Sequence, residues 1–247
     1  MPRWCQRASS IRIVTLRACH TATMDTRGAH DLELRVAWQR HVAIDMHEFE
    51  AVMARHREPH RRYHGEHHIG WVVRHAQHLA AHFAAPGVDG HVAQPIDLGA
   101  VIAAAFYHDA VYDPRASDNE AASARLASEV LVRGGWPAER VAAVANMIKA
   151  TADHRDGATG DLSTAVLLAA DLAVLAAEPA GYSAYVNGVR FEYGHVADSD
   201  WVIGRSAVLR SFIDREHIFP AALDLHEWET GARSNIATEL AALNASS

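Results

Sequence analysis

The chain has 247 residues, of which 49% are hydrophobic and 21% charged, enough apolar material for one large domain or two small ones. Its net charge of −7, with histidine neutral, argues against general nucleic-acid binding, because phosphate backbones reward an excess of Lys and Arg. No apolar run approaches the roughly 20 residues that span a bilayer, so the sequence reads as a soluble, cytoplasmic protein.

Residues 1–24 carry Arg3, Arg7, Arg12 and Arg17 and no acid. This composition resembles that of an organellar transit peptide, and the segment lacks the apolar core of a secretory signal; it is read instead as a disordered tail or as a start placed too far upstream of Met24. Both cysteines, Cys5 and Cys19, fall in this stretch. The body of the chain, residues 25–247, is therefore predicted to be a single domain without disulfides or thiolate ligands.

From Asp31 onward Ala and Leu dominate, and no alternating β-branched run bounded by tight-turn residues is present. The prediction is an all-α fold of about nine or ten helices. They run from Asp31 to His41, His47 to Arg57, Glu66 to Ala84, Leu98 to Tyr112, Asn119 to Gly134, Pro137 to Ala152, Ser163 to Ala177, Tyr182 to Val196 and Asp198 to Arg215, with one more after Ala221. Asp97 is placed to cap the fourth and Pro114 to stop it; Pro137 marks a helix start and Pro179 a helix end. The loop from Ala84 to Pro95 is linker-like but too short, and too early in the chain, to separate two cores.

Two of these segments pose a problem of charge. LGAVIAAAFYHDAVYDP (Leu98 to Pro114) has no polar face, yet carries His108 and Asp109, and in STAVLLAADLAVLAAEP (Ser163 to Pro179) Asp171 is the only polar side chain between Ala165 and Ala177. A helix apolar all round belongs in the core, where an ionised carboxylate is tolerated only when paired or bound to a metal. Either carboxylate alone could cap a neighbour or meet an arginine. Both together, in a chain with 18 histidines, are better compensated by a shared cation.

Further donors are sought in RRYHGEHHIGW (Arg61 to Trp71), where His64, His67 and His68 stand at a helix start. His64 and His68 share a face at i,i+4, while His67 and His68 diverge by about 100°, so only some of the three look inward. His75, His78 and His82 are expected on the solvated side.

The order His68, His108-Asp109, Asp171 resembles the H…HD…D signature of the HD superfamily of metal-dependent phosphohydrolases. The blocks YHGEHHI, AAFYHDAVYD, NEAASA, IKATADH, AADLAVL and FEY…GRSAVL resemble a subfamily of small bacterial HD phosphohydrolases from about Asp31 to Phe219. Gly65 departs from that pattern, which has an amide at this point. The resemblance implies an HD-type helical bundle in which His68, His108, Asp109 and Asp171 bind one divalent cation. Manganese, iron, cobalt, nickel, zinc and magnesium all suit such ligands. It also implies hydrolysis of a small phosphate ester, a nucleotide or related metabolite, because a cation of this kind acidifies water and polarises a phosphoryl oxygen. An HD-type di-iron oxygenase and a non-catalytic nucleotide- or metal-binding module are the alternatives.

Asp109, His64, Glu120 and His154 are the candidates for catalysis. Glu120 has capping-box spacing from Ser117, so it either closes a helix start or exchanges a proton near the leaving group. His154, the only histidine between His108 and Asp171, is a second-shell partner, a general acid or a ligand to a second metal, and its isolation favours a mononuclear site. Lys149, Arg190 and Arg205 are the expected phosphate contacts. Tyr185, with Tyr182 and Tyr193, is expected either to contact a base or to belong to the core.

Overall fold

The computed structural model describes residues 26–84, 95–154 and 161–245. The predicted tail over residues 1–24 and nearly all of the loop from Ala84 to Pro95 lie outside them. The described residues are all-helical, with ten α-helices and no strand. These are α1 (Thr26–Ala37), α2 (Met46–His56), α3 (Glu66–Ala84), α4 (Leu98–Tyr107), α5 (Asn119–Arg133), α6 (Ala138–Ala150), α7 (Leu162–Leu172), α8 (Pro179–Glu192), α9 (Asp198–Ile213) and α10 (His226–Ala245). No single helix among them is long and apolar enough to cross a membrane.

Helix α4 is the axis of the fold. It touches α3, α5, α6, α7 and the π-helical turn Trp38–Val42 that continues α1, and every residue from Ala100 to Tyr107 is buried. This is the physical meaning of its missing polar face. Its alanines let neighbouring helices close in, and Phe106 packs edge-on against Trp38 and Phe49. Asp97 caps it as predicted, accepting from the Ala100 amide.

The helix stops at Tyr107, short of the predicted Tyr112. The last turn and the residues just beyond it are claimed from outside: the buried His56 Nε2 donates to Phe106 O at 2.9 Å, and past the helix end the Arg61 guanidinium donates to the carbonyls of Asp109 and Ala110. The residue four beyond Ala110 is Pro114, which has no N–H to continue the ladder. His108 and Asp109 therefore sit on the first turn beyond the helix.

Helix α7 likewise ends early, at Leu172. A 3₁₀ turn, Ala173–Ala176, follows, and Pro179 opens α8 three residues ahead of the predicted Tyr182 because proline is preorganised for the first helical position. The segment after Ala221 is split by Asp224, left-handed at φ 46°, into a short 3₁₀ turn and α10.

His75 departs from its expected exposure. It is buried, with Nδ1 donating to Trp71 O at 2.8 Å and its ring between Trp71 and Trp228 of α10. Burial pushes its pKa down to about 4. That lies below the unfolded value of 6.5, so this contribution to stability is complete above pH 6.5 and is lost as pH falls towards 4. His75→Phe, which cannot titrate, is expected to gain about 1.5 kcal/mol on wild type when the pH is lowered from about 6.5 to about 5, measured by urea unfolding at both pH values.

Candidate metal centre

Three helices deliver four side chains to one point. His68 comes from the first turn of α3, His108 and Asp109 from the turn that ends α4, and Asp171 from the last turn of α7. His68, His108 and Asp171 each offer a ligand atom within 4.8 Å of the other two. Asp109 adjoins this set, with Oδ2 at 3.0 Å from His108 Nε2 and 3.4 Å from His68 Nε2. Asp171 Oδ1 lies 3.0 Å from His68 Nε2 and 3.6 Å from His108 Nε2.

Neither carboxylate meets an arginine side chain among the described residues. Burial works against the charge of Asp109 and Asp171, but the charge and hydrogen bond of His108, with further bonds from His68 and, for Asp171, His154, hold both well below the usual carboxylate range. Burial likewise opposes charge on the two imidazoles, yet the flanking carboxylates raise both, His108 by far the more.

The chemistry of the donors fits a cation. His108 Nδ1 donates to Ala105 O at 2.9 Å, so that Nε2, 3.1 Å from His68 Nε2, is the nitrogen that can give a lone pair to a cation when its proton leaves. Two facing imidazole nitrogens and two ionised carboxylates are satisfied together by one divalent ion, whereas a lone proton bridges only one pair. This group could hold a metal ion, and its mixed nitrogen and oxygen donors do not single one out. Asp171 has a positioning contact of the kind ligating carboxylates receive: His154 Nε2 donates to its Oδ2 at 2.8 Å, from a residue held at positive φ (49°).

Asp109 and Asp171 line a cavity of about 520 Å³, together with His64, His154, Glu120, Tyr185 and Arg205. The predicted site residues are thus mostly gathered in one place. Glu120 makes no capping box: the residue before α5 is Asp118, no side chain caps the helix, and Glu120 faces the cavity instead.

Two expected phosphate contacts are not in this cavity. Lys149 is exposed on the outer side of α6. Arg190 closes the α8–α9 connection, donating to Tyr193 O, Val196 O and Asp198 Oδ1 and lying over the Trp201 ring. Arg205 does line the cavity, but Glu239 takes two of its donors, at 2.8 and 3.1 Å, and Tyr185 OH accepts a third at 3.0 Å.

Sequence reasoning missed Tyr63, Arg61 and Glu192. Tyr63 packs its ring against His64, His68 and Tyr185. Arg61 draws in the carbonyl of His64 along with those of Asp109 and Ala110, joining the two donor-bearing turns. Glu192, with its side chain fully buried, binds the start of α3 from the end of α8. Its Oε1 accepts from the amides of Arg62, Tyr63 and His64 at 2.6, 2.6 and 3.0 Å, and its Oε2 accepts from His64 Nδ1 at 2.6 Å and Tyr112 OH at 2.9 Å. Burial raises the Glu192 pKa, but the His64 hydrogen bond and charge and the backbone amides outweigh it and bring it down to about 2. Two glycines permit the close approach: a Cβ at Gly188 would lie 3.1 Å from Tyr63 Cβ, and one at Gly65 would lie 3.1 Å from His56 O.

No protein-family model, curated protein or solved structure matches the chain. The likeness to HD phosphohydrolases rests on the residues themselves.

Equilibrium dialysis against Mn²⁺ checks the ligand set. His68→Ala is expected to lose binding, His154→Ala to weaken it by about 10- to 100-fold as removal of an outer-shell partner does, and His67→Ala, whose ring lies near His30 on the exposed side, to keep it. Binding kept by His68→Ala and lost by His67→Ala would mean that the start of α3 is rotated by one residue.

Proposed function

We propose that the protein is a metal-dependent phosphohydrolase of HD type acting on a small phosphate ester. The observation that carries this reading is the meeting of two imidazoles and two ionised carboxylates, 3.0 to 3.6 Å apart, with both carboxylates in the wall of a cavity of about 520 Å³. That volume lies within the usual range of small-molecule sites. His68, His108, Asp109 and Asp171 would hold the cation, and a divalent ion so held supplies acidification of water and polarisation of a phosphoryl oxygen.

The chain's own residues do the rest. His154 fixes the rotamer of Asp171. His64 and Glu120, both facing the cavity, are the groups within the site suited to exchange protons with the attacking and leaving oxygens. Tyr185 and Arg205 present polar atoms to a substrate, with the Arg205 charge balanced by Glu239. Val174, Val208, Phe212, Tyr193 and Trp201 give the remaining wall an apolar and aromatic character that suits the organic part of an ester such as a nucleoside monophosphate.

The test is phosphate release from a panel of aryl, nucleoside and sugar monophosphates, after chelation and re-addition of single divalent cations. Release restored by one or more cations and absent in Asp109→Ala is the expected result. Stoichiometric cation binding with no release from any ester would overturn the hydrolase in favour of a binding module. Two irons per chain with oxygen consumption would overturn it in favour of an oxygenase.

A further inference from the structure

We infer that Glu192 is a positioning residue that sets both the tautomer and the orientation of His64 towards the cavity. This rests on the reading of the cavity as the place where an ester is hydrolysed and His64 carries a proton.

An ionised carboxylate only accepts hydrogen bonds, so the 2.6 Å contact requires the proton on His64 Nδ1. In a neutral imidazole the other nitrogen, Nε2, then holds the lone pair. Nε2 has no hydrogen-bond partner among the described residues, and His64 lines the cavity beside Asp109. The ring is held against rotation as well: Tyr112 stacks on it at 4.2 Å and Tyr63 meets it edge-on at 4.8 Å. Tyr112 is itself tied to Glu192 Oε2, so one carboxylate fixes the imidazole and the ring that stacks on it.

A purely structural clamp accounts for half of this. Oε1 alone gathers the three amides of the turn; Oε2 is spent on His64 and Tyr112. No Lys or Arg side chain approaches Glu192 within ion-pair distance among the described residues, so His64 and Tyr112 are the side chains that share its Oε2. A proton-carrying group oriented by a third residue is the arrangement general acid–base sites require.

Glu192→Gln separates the two roles because it is isosteric. Its oxygen keeps the three backbone amides, while its NH₂ donates to His64 Nδ1 and to the Tyr112 oxygen, which forces the His64 proton onto Nε2. Long-range ¹⁵N–¹H correlation on the full-length protein is expected to show His64 as Nδ1–H in wild type and Nε2–H in Glu192→Gln. Mn²⁺ binding should be unchanged, KM little altered and kcat lowered by about 10²- to 10⁴-fold, the range for losing a correctly protonated acid–base group. In a His64→Ala background the same substitution should cost nothing further. An Nε2–H tautomer in wild type, an unchanged tautomer in the variant, or costs in kcat that multiply between the two substitutions would overturn the inference. If no ester is turned over by any form, the phosphohydrolase reading falls, and the wild-type and variant tautomers still decide whether Glu192 sets His64.

Discussion

Two carboxylates held mostly out of solvent at the edge of an Ala- and Leu-rich core are the constraint on which the rest of this structure depends. A buried charge left without a partner costs several kcal/mol, a large share of the 5–15 kcal/mol that typically separates folded from unfolded chains. Helices α4 and α7 cannot supply the partners, because to be core they must be apolar on every side. His108, at the very end of α4, is the only help either segment brings with it. The remaining compensation has to come from α3, through His68, and from the turn after α6, through His154. The packing of α3 against both α4 and α7 therefore serves the charges as much as the apolar surface.

Much of this was legible in the sequence for one reason: a polar residue in an otherwise apolar helix has few explanations. His108, Asp109 and Asp171 stood out in that way, and the i,i+4 relation of His64 and His68 reduced the choices at α3. The helix order and the Asp97 cap were equally readable, because they depend on neighbours within one turn. What could not be read depends on contacts across the chain. The stop of α4 at Tyr107 is decided by His56 and Arg61, some 50 residues earlier, and His75 is buried by Trp228 of the last helix. Periodicity reports which residues share a face, but not what covers that face.

The cations expected at the site show the same limit. Lys149, Arg190 and Arg205 were alike in the sequence as cations near the blocks of interest. In the fold they have three fates: Lys149 stays in solvent, Arg190 closes a loop, and Arg205 is buried against Glu239, whose second oxygen also receives Tyr182 OH at 2.6 Å. A guanidinium forked onto a carboxylate is a rigid wall element with its charge balanced internally, quite different from a mobile cation waiting for an anion.

The bonds that Glu192 makes to residues 62–64 span 128 to 130 positions, and those from Arg61 to Asp109 and Ala110 span 48 and 49. Contacts of such long range form only after the chain has paid the entropy of closing large loops, so no fragment containing α3 and α4 alone assembles this site. The site is an attribute of the finished fold, and Glu192 makes it depend on the docking of α8. A local opening there would free the turn bearing His64 and loosen the approach to α3 without exposing the α4 core, so the site could be lost before the fold is.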